Sequence, residues 1–368
     1  MHKFKSKATV VLGGQAGSEG KGKIAGYLAI KDNYAVSMCN FMTNAGHTWV
    51  SNDGERVMVQ QLPQAVVNPD TILVITAGSA ITISTLLNEI KNHNLGLSNR
   101  LLIHERAMII EDRHVEEEAK SLGRISSTLK GCGHALADKA ARGSAVMLAK
   151  DVQELSQWVV TDTGLSKDLY MALYNGLKVM IECPQGFDLD INHGLEYPYC
   201  TSRQTTSAQA IADAGLPPQA AGEIIAVIRP YPIRVGNVHD DNGRLTGYSG
   251  DYRGSKEITW EKIAKWSGTP QEEIKELTTV TKKLRRVFEP HWARLAEMVR
   301  INGVTQIALN FANYIDHGLY GKNKSTDITS EVQRWIETIE SECGVPVTLV
   351  GTGPRDEDMI DLRTEKLK

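Results

Sequence analysis

The stretch 12–23, Leu12-Gly13-Gly14-Gln15-Ala16-Gly17-Ser18-Glu19-Gly20-Lys21-Gly22-Lys23, follows directly on the apolar run Thr9-Val10-Val11. A short β-branched run ending in a glycine-rich turn reads as a strand that delivers a loop to the start of a helix. Such a loop lets backbone N–H groups approach a polyphosphate, because glycine tolerates unusual dihedrals and carries no Cβ. It departs from the common phosphate loop. Gly14 and Gly20 enclose five residues rather than four, and Gly22, not Ser or Thr, follows Lys21, so the usual Mg²⁺-binding hydroxyl is missing at that spot. Lys21 and Lys23 alone could be two solvated lysines. The strand, the glycines and the helix start together point to phosphate binding.

The rest of the chain sets the bounds. With 368 residues it is long enough to bury a sizeable core, as one large α/β domain or two smaller ones. Lys and Arg number 41 against 44 Asp and Glu, a formal net charge of -3, so no basic surplus points to nucleic acid. Five cysteines (Cys39, Cys132, Cys183, Cys200 and Cys343) are odd in number and scattered, which favours reduced thiols over a disulfide framework or a zinc site. The apolar part of the N-terminal segment is only a strand long, and no run reaches the length of a membrane span. The expectation is a cytoplasmic protein with no membrane partner.

Apolar runs alternate with helical periodicity, which predicts an α/β fold with a central, mostly parallel sheet. Strands are expected at 8–13, 71–76, 101–110, 177–182, 223–229, 304–311 and 346–351. Helices are expected at 23–31, 80–93, 112–122, 143–159, 206–214, 289–301 and 327–342. In the last, Ile328, Val332, Trp335, Ile336 and Ile339 share a face and Gly344 is the stop. No internal repeat or linker divides the chain, so residues 1–368 are read as one domain with long loops at about 236–256 and 278–288.

Four further stretches carry chemistry. Asn44-Ala45-Gly46-His47-Thr48 follows the first loop; 126–142 reads SSTLKGCGHALADKAAR; 182–206 begins ECPQGFDLDINHG; and 344–354 reads GVPVTLVGTGP. With the pattern G-x-Q-x-G-x-E-G-K-G-K at 13–23, these resemble the adenylosuccinate synthetase family over nearly the whole chain, loosely at 240–330. The resemblance implies that family's P-loop-NTPase-like fold and a ligase that joins aspartate to C6 of a purine nucleotide. It implies a catalytic set of His47, Lys21, Gln185 and Ser18. His47 would act on purine O6 as acid and electrostatic stabiliser, and Lys21 on the γ-phosphate. The substrate nucleotide would contact Ser18, Asn44, Ala45, Thr128, Gln185, Thr201, Val235 and Gly236, with Arg142 reaching its phosphate from a partner subunit of a homodimer. Gly17, Glu19, Gly20, Lys21, Gly22, Lys23, Thr48, Asn310, Asn313, Gly351, Gly353 and Pro354 would hold the donor. Mg²⁺ would meet Ser18 and the Gly46 carbonyl. Thr279, Lys283 and Arg285, in the cationic stretch 278–286, would grip L-aspartate, as guanidinium forks suit carboxylates. Taken alone, Asp188-Leu189-Asp190-Ile191-Asn192-His193 could be metal ligands, but the family uses these positions structurally.

Two departures from the family pattern are physically legible. Ordinary members have Asp where Ser18 stands. Serine is no base near neutral pH, but it leaves room for a substituent at purine C2 and can hydrogen-bond it, which fits GMP or dGMP. The family also reads the guanine of GTP with Asp, where Asn313 stands in Asn310-Phe311-Ala312-Asn313. An amide pairs with adenine's donor and acceptor but sets a donor against a donor on guanine. A buried polar mismatch costs on the order of 1–3 kcal/mol, a roughly tenfold to hundredfold shift toward ATP or dATP. Both departures are features of the phage branch of the family, which makes 2-aminoadenylosuccinate nucleotides from dGMP, aspartate and ATP or dATP for 2-aminoadenine DNA; the compartment would then be the host cytoplasm. The alternatives are an ordinary IMP- and GTP-using synthetase and an inactive nucleotide-binding protein. The base for the guanine N1 proton stays open between Glu19, a water held by Ser18 and the substrate's phosphate.

Overall fold

The computed structural model describes residues 4–277 and 284–367. Its frame is a ten-stranded sheet. From one edge the strands run Met359–Asp361, Val347–Gly351, Gln306–Leu309, Ala221–Ile228, Ala8–Gly13, Val179–Glu182, Val36–Cys39, Ile72–Ile75, Leu101–His104 and Val159–Val160. Every neighbouring pair is parallel except Val347–Gly351 with Met359–Asp361. Parallel strands covered by helices on both faces must be apolar throughout, and all six residues of Ala8–Gly13 are buried. Ala8–Gly13 lies between Val179–Glu182 and Ala221–Ile228, in the middle of the sheet. The glycine-rich loop leaves its carboxyl end, where α/β sheets open their ligand crevice.

Helix Lys21–Lys31 follows that loop and is buried over most of its length. Helix Ser330–Cys343 starts at Thr329, whose hydroxyl accepts from Val332 N, and stops at Gly344 with φ 70°. Val332, Ile336 and Ile339 are buried along it, as the periodicity predicts. Of the two stretches expected to be long functional loops, 236–256 holds a small hairpin of Val238–His239 and Leu245–Gly247. Most of the other, 278–283, lies outside the described residues.

Two predicted elements are corrected. The stretch 143–159 is not a helix. It forms short turns at Ala149–Asp151 and Gln153–Leu155 and then the edge strand Val159–Val160. The Asp151 carboxylate accepts from Leu148 N, a local bond that competes with helix, and the β-branched pair Val159-Val160 finds a partner strand in Leu101–His104. The stretch 101–110 divides into Leu101–His104, in the main sheet, and Met108–Ile109, which pairs with Ala80–Ile81. Strand Val36–Cys39, the hairpin His47–Val50 with Arg56–Val59, and helices Cys132–Ala141, Asp162–Asn175 and Trp260–Ser267 were not predicted. No helix among the described residues is long and apolar enough to cross a membrane.

Candidate active site

A cavity of about 880 Å³ opens above the carboxyl ends of the central strands. The glycine-rich loop, the His47 hairpin, the 126–130 segment, Gln185, the 233–238 segment and the 310–320 turns all line it. Ser18, Ser126, Gln185 and Phe311 combine a place on this wall with left-handed φ angles of 54–59°. Such backbone is uncommon for residues with a Cβ and gathers at functional sites.

The phosphate end is built on the loop. Gly20 has φ 82°, and a Cβ there would come 2.1 Å from Asn310 Nδ2, so a side chain at this position would break the loop's seat on the 310 turn. Gly17, Gly20, Lys21, Gly22 and Lys23 line the cavity. The Glu19 side chain does not. Its buried carboxylate turns into the loop, where Oε1 accepts from Gln15 N (3.1 Å) and Gly17 N (2.8 Å) and Oε2 pairs with Lys21 Nζ at 2.9 Å. Glu19 thus closes the loop and sets the Lys21 ammonium, a role its place between Ser18 and Gly20 does not reveal. The Lys23 ammonium donates to the carbonyls of Gly353 and Asp358, both at 2.6 Å. Burial lowers its pKa to about 7, against the opposing pull of Asp358 and Asp356.

His47 stands at the start of the hairpin strand His47–Val50, with Thr43, Asn44, Ala45 and Gly46 leading into the same wall and Thr48 following. Its Nδ1 lies 2.5 Å from Glu182 Oε1, and Glu182 Oε2 accepts from Gln64 N at 2.8 Å. Phe41 packs on the imidazole with ring centroids 4.2 Å apart. Glu182 is fully buried at the end of Val179–Glu182. A carboxylate held this way fixes the ring and leaves Nε2 as the nitrogen available to a ligand. The sequence reading missed Glu182. The signal was there: a carboxylate closing the apolar strand run Val179-Met180-Ile181 needs a partner when buried. Gln185 Nε2 donates to Asn44 Oδ1 (3.0 Å), so the two expected nucleotide contacts are joined before any ligand arrives.

Thr128, Val235 and Gly236 line the cavity as expected; Thr201 and Arg142 do not. Thr201 is buried behind the wall, with its N bonded to Leu189 O and its hydroxyl without a partner among the described residues. Arg142 is exposed at the end of helix Cys132–Ala141, off the cavity of its own chain. Asp188 and Asp190 are structural. Asp188 accepts from Arg294 Nε (2.7 Å) and the Tyr252 hydroxyl, and Asp190 from the amides of Asn192 and His193.

At the far end Asn310, Phe311, Asn313, Gly353 and Pro354 line the cavity. Gly351 does not. It backs onto Asn310, whose Oδ1 would lie 2.0 Å from a Cβ at that position, so packing alone demands glycine there. The Arg229 guanidinium covers one face of Phe311, 4.4 Å from the ring centroid. Arg285 Nη1 donates to Ser18 Oγ at 2.6 Å. A cation bound at that hydroxyl would sit beside a guanidinium, so Ser18 does not fit as a Mg²⁺ ligand, and that assignment is corrected. Among the described residues no group of three or more His, Cys, Asp or Glu could hold a metal. Thr279 and Lys283 lie outside the described residues.

A glycine-rich loop between the central strand of a parallel sheet and a buried helix, with a carboxylate-held histidine facing it, defines a phosphate-handling α/β nucleotide protein. The adenylosuccinate synthetase family profile matches residues 10–157 and 146–319. A relative named N6-succino-2-amino-2'-deoxyadenylate synthase, from Acinetobacter phage SH-Ab 15497, is 35% identical over 94% of this chain and 91% of its own length. The adenylosuccinate synthetase of Archaeoglobus fulgidus is 34% identical over 98% of this chain and 99% of its own. The solved structure of the cyanophage S-2L succinoaminodeoxyadenylate synthetase, bound to dGMP and to dATP as energy donor, superposes with a TM-score of 0.80 at 30% identity, covering 98% of this chain and 97% of that one. The chain belongs to the adenylosuccinate synthetase family.

Proposed function

We propose that this chain is a ligase that joins L-aspartate to C6 of dGMP at the expense of dATP or ATP, giving N6-succino-2-amino-2'-deoxyadenylate. The observation that carries this reading is Ser18, a neutral side chain on the cavity wall where ordinary family members place a carboxylate. The likeness to two phage enzymes, one of them solved with dGMP and dATP, supports it.

The lactam oxygen of guanine cannot leave as oxide, so O6 must first become a phosphate ester. The γ-phosphoryl of the donor moves to O6, the donor departs as its nucleoside diphosphate and the guanine N1 proton is released to solvent; such transfers depend mainly on positioning and charge. In this reading the backbone of the glycine-rich loop and Lys21 hold the phosphates, and Glu19 sets Lys21. His47, oriented through Nδ1 by Glu182, donates from Nε2 toward O6. Asn44 and Gln185 orient the substrate nucleotide. The aspartate amine, with its carboxylates gripped by Thr279, Lys283 and Arg285, attacks C6; the C–N bond forms, the C–O bond breaks and inorganic phosphate departs with O6. The amine proton is released to solvent. The Gly46 carbonyl would be a ligand for Mg²⁺, which would supply counter-charge to the donor phosphates. Asn313 favours an adenine donor. Arg142, exposed and off its own cavity, serves the cavity of a second copy in a homodimer. One domain and a cytoplasmic setting complete the reading.

Phosphate release with aspartate across IMP, GMP and dGMP, each with ATP, dATP and GTP, tests it. Turnover of dGMP with dATP or ATP is expected. Activity with IMP and GTP alone overturns it, and nucleotide binding without any phosphate release favours an inactive binding protein.

A further inference from the structure

Two guanidiniums converge on Ser18, and one carboxylate lies behind both. Arg229 Nη1 donates to the Ser18 carbonyl at 3.2 Å, while Arg285 Nη1 donates to its hydroxyl. Glu276 accepts from Arg229 Nη1 and Nη2 at 3.1 and 2.6 Å, and its Oε2 lies 3.8 Å from Arg285 Nε. Arg229 is 1% exposed, among the largest fully buried side chains of the fold. Two neighbouring buried cations are costly without a shared anion, and Glu276 supplies it. Burial would raise the Glu276 carboxyl, but Arg229 and then Arg285 outweigh it and hold it below the usual range.

Ser18 needs such holding. Its φ of 58° puts a residue with a Cβ in the left-handed region, directly after Gly17 at 89°. A serine hydroxyl has one proton and two lone pairs. Arg285 occupies one lone pair, which leaves the other to accept from an amino group, while a purine with hydrogen at C2 offers it nothing.

We infer that Glu276 is a positioning residue for purine selectivity: through Arg229 and Arg285 it fixes both the backbone and the hydroxyl of Ser18, so that the hydroxyl presents a defined acceptor to an exocyclic amine at purine C2. This rests on the reading under which Ser18 faces that substituent. Glu276 itself reaches the cavity wall, and its inferred role is exerted through the two arginines it pairs with.

The test compares kcat/KM for dGMP and dIMP in the wild type, Glu276→Gln and Glu276→Asp, and measures binding of each nucleotide by calorimetry without aspartate or donor. Loss of one hydrogen-bond preference is worth about tenfold, so Glu276→Gln is expected to lower the dGMP-over-dIMP ratio by about that factor, with most of it restored in Glu276→Asp. Arg285→Met, read by nucleotide binding alone, keeps the test sharp should Glu276→Gln fail to fold, and is expected to lower the same ratio. Equal losses on both purines make Glu276 merely structural and overturn the inference, as does an effect confined to the KM for aspartate. Ser18→Ala separates the two levels. An unchanged ratio there sinks the reading of Ser18 itself, whereas a changed ratio there with an unchanged one in Glu276→Gln sinks the clamp alone.

Discussion

The reacting end of the cavity and its base-reading walls are anchored in different ways. At the reacting end, Lys21 and His47 are each fastened to a buried carboxylate, Glu19 and Glu182, and Glu182 is itself part of the central sheet. At the reading walls the deciding groups are neutral, Ser18 and Asn313, and the charges that steer Ser18 come from Arg229, Arg285 and Glu276, beyond the strands of the sheet. The difference teaches where each property resides. On the proposed function, the histidine of the chemistry is tied through Glu182 to a central strand, where small displacements are resisted, and base choice rests on turns and loops, where one side chain can change without disturbing the frame.

The strongest way to break that comparison is at the reacting end. His47→Ala is expected to lower kcat by about 10²–10⁴-fold while calorimetry still shows dGMP binding. Glu182→Gln should reproduce a large part of the loss through the ring's orientation; a normal kcat in that variant would mean the pair is not part of the machinery. Next in size is Ser18→Asp. A carboxylate crowds the C2 amine and pairs with Arg285, so the dGMP-over-IMP ratio of kcat/KM should fall about 10–100-fold, the cost of a mismatched buried polar contact. An unchanged ratio would move base reading elsewhere. Asn313→Asp probes the other wall: the KM for dATP should rise and that for dGTP fall, a combined shift of about tenfold, while dGMP kinetics stay as they were.

The smallest effect belongs to Lys23, which bridges the two regions by joining the helix start to the Gly353 turn. In the fold burial lowers its pKa to about 7, against 10.5 for a free lysine. Between those values the unfolded chain binds the extra proton, so stability rises with pH over that window and the burial cost is felt in full only below it. Relative to Lys23→Met, the wild type should gain at most about 1.4 kcal/mol per pH unit from pH 7 to 10. Urea unfolding at pH 7 and 9 measures this, and parallel curves for the two proteins would remove the buried charge from the account.

Much of this was readable beforehand for a local reason. The loop at 13–23, the Asn44–Thr48 wall and helix Ser330–Cys343 depend on neighbours within a few residues, so glycine spacing, caps and periodicity report them directly. The errors arose where local pattern was ambiguous or a distant partner decided. The stretch 143–159 has apolar residues at helical spacing, yet Val159, with Val160 just past its end, pairs with a strand more than fifty positions away. Glu19, Gly351 and Thr201 belong to matching motifs, whose spacing does not reveal the packing and hydrogen bonds each also makes inside the fold. Glu182, Arg229 and Glu276 escaped notice because each draws its meaning from partners far along the chain: Glu182 from His47, Arg229 from Ser18, Glu276 from Arg229.

The amino-acid order alone settled the class of fold, and it marked the glycine-rich turn, the histidine opposite it and the two substitutions, Ser18 and Asn313, to which the proposed function assigns base choice. These follow from backbone freedom, side-chain chemistry and short-range periodicity. Only the folded chain decided which buried charges share a partner. The Glu182–His47 pair and the Glu276 clamp on Ser18 exist because packing of the sheet and its loops removes water from groups remote in sequence, and a desolvated charge is stable only beside its complement.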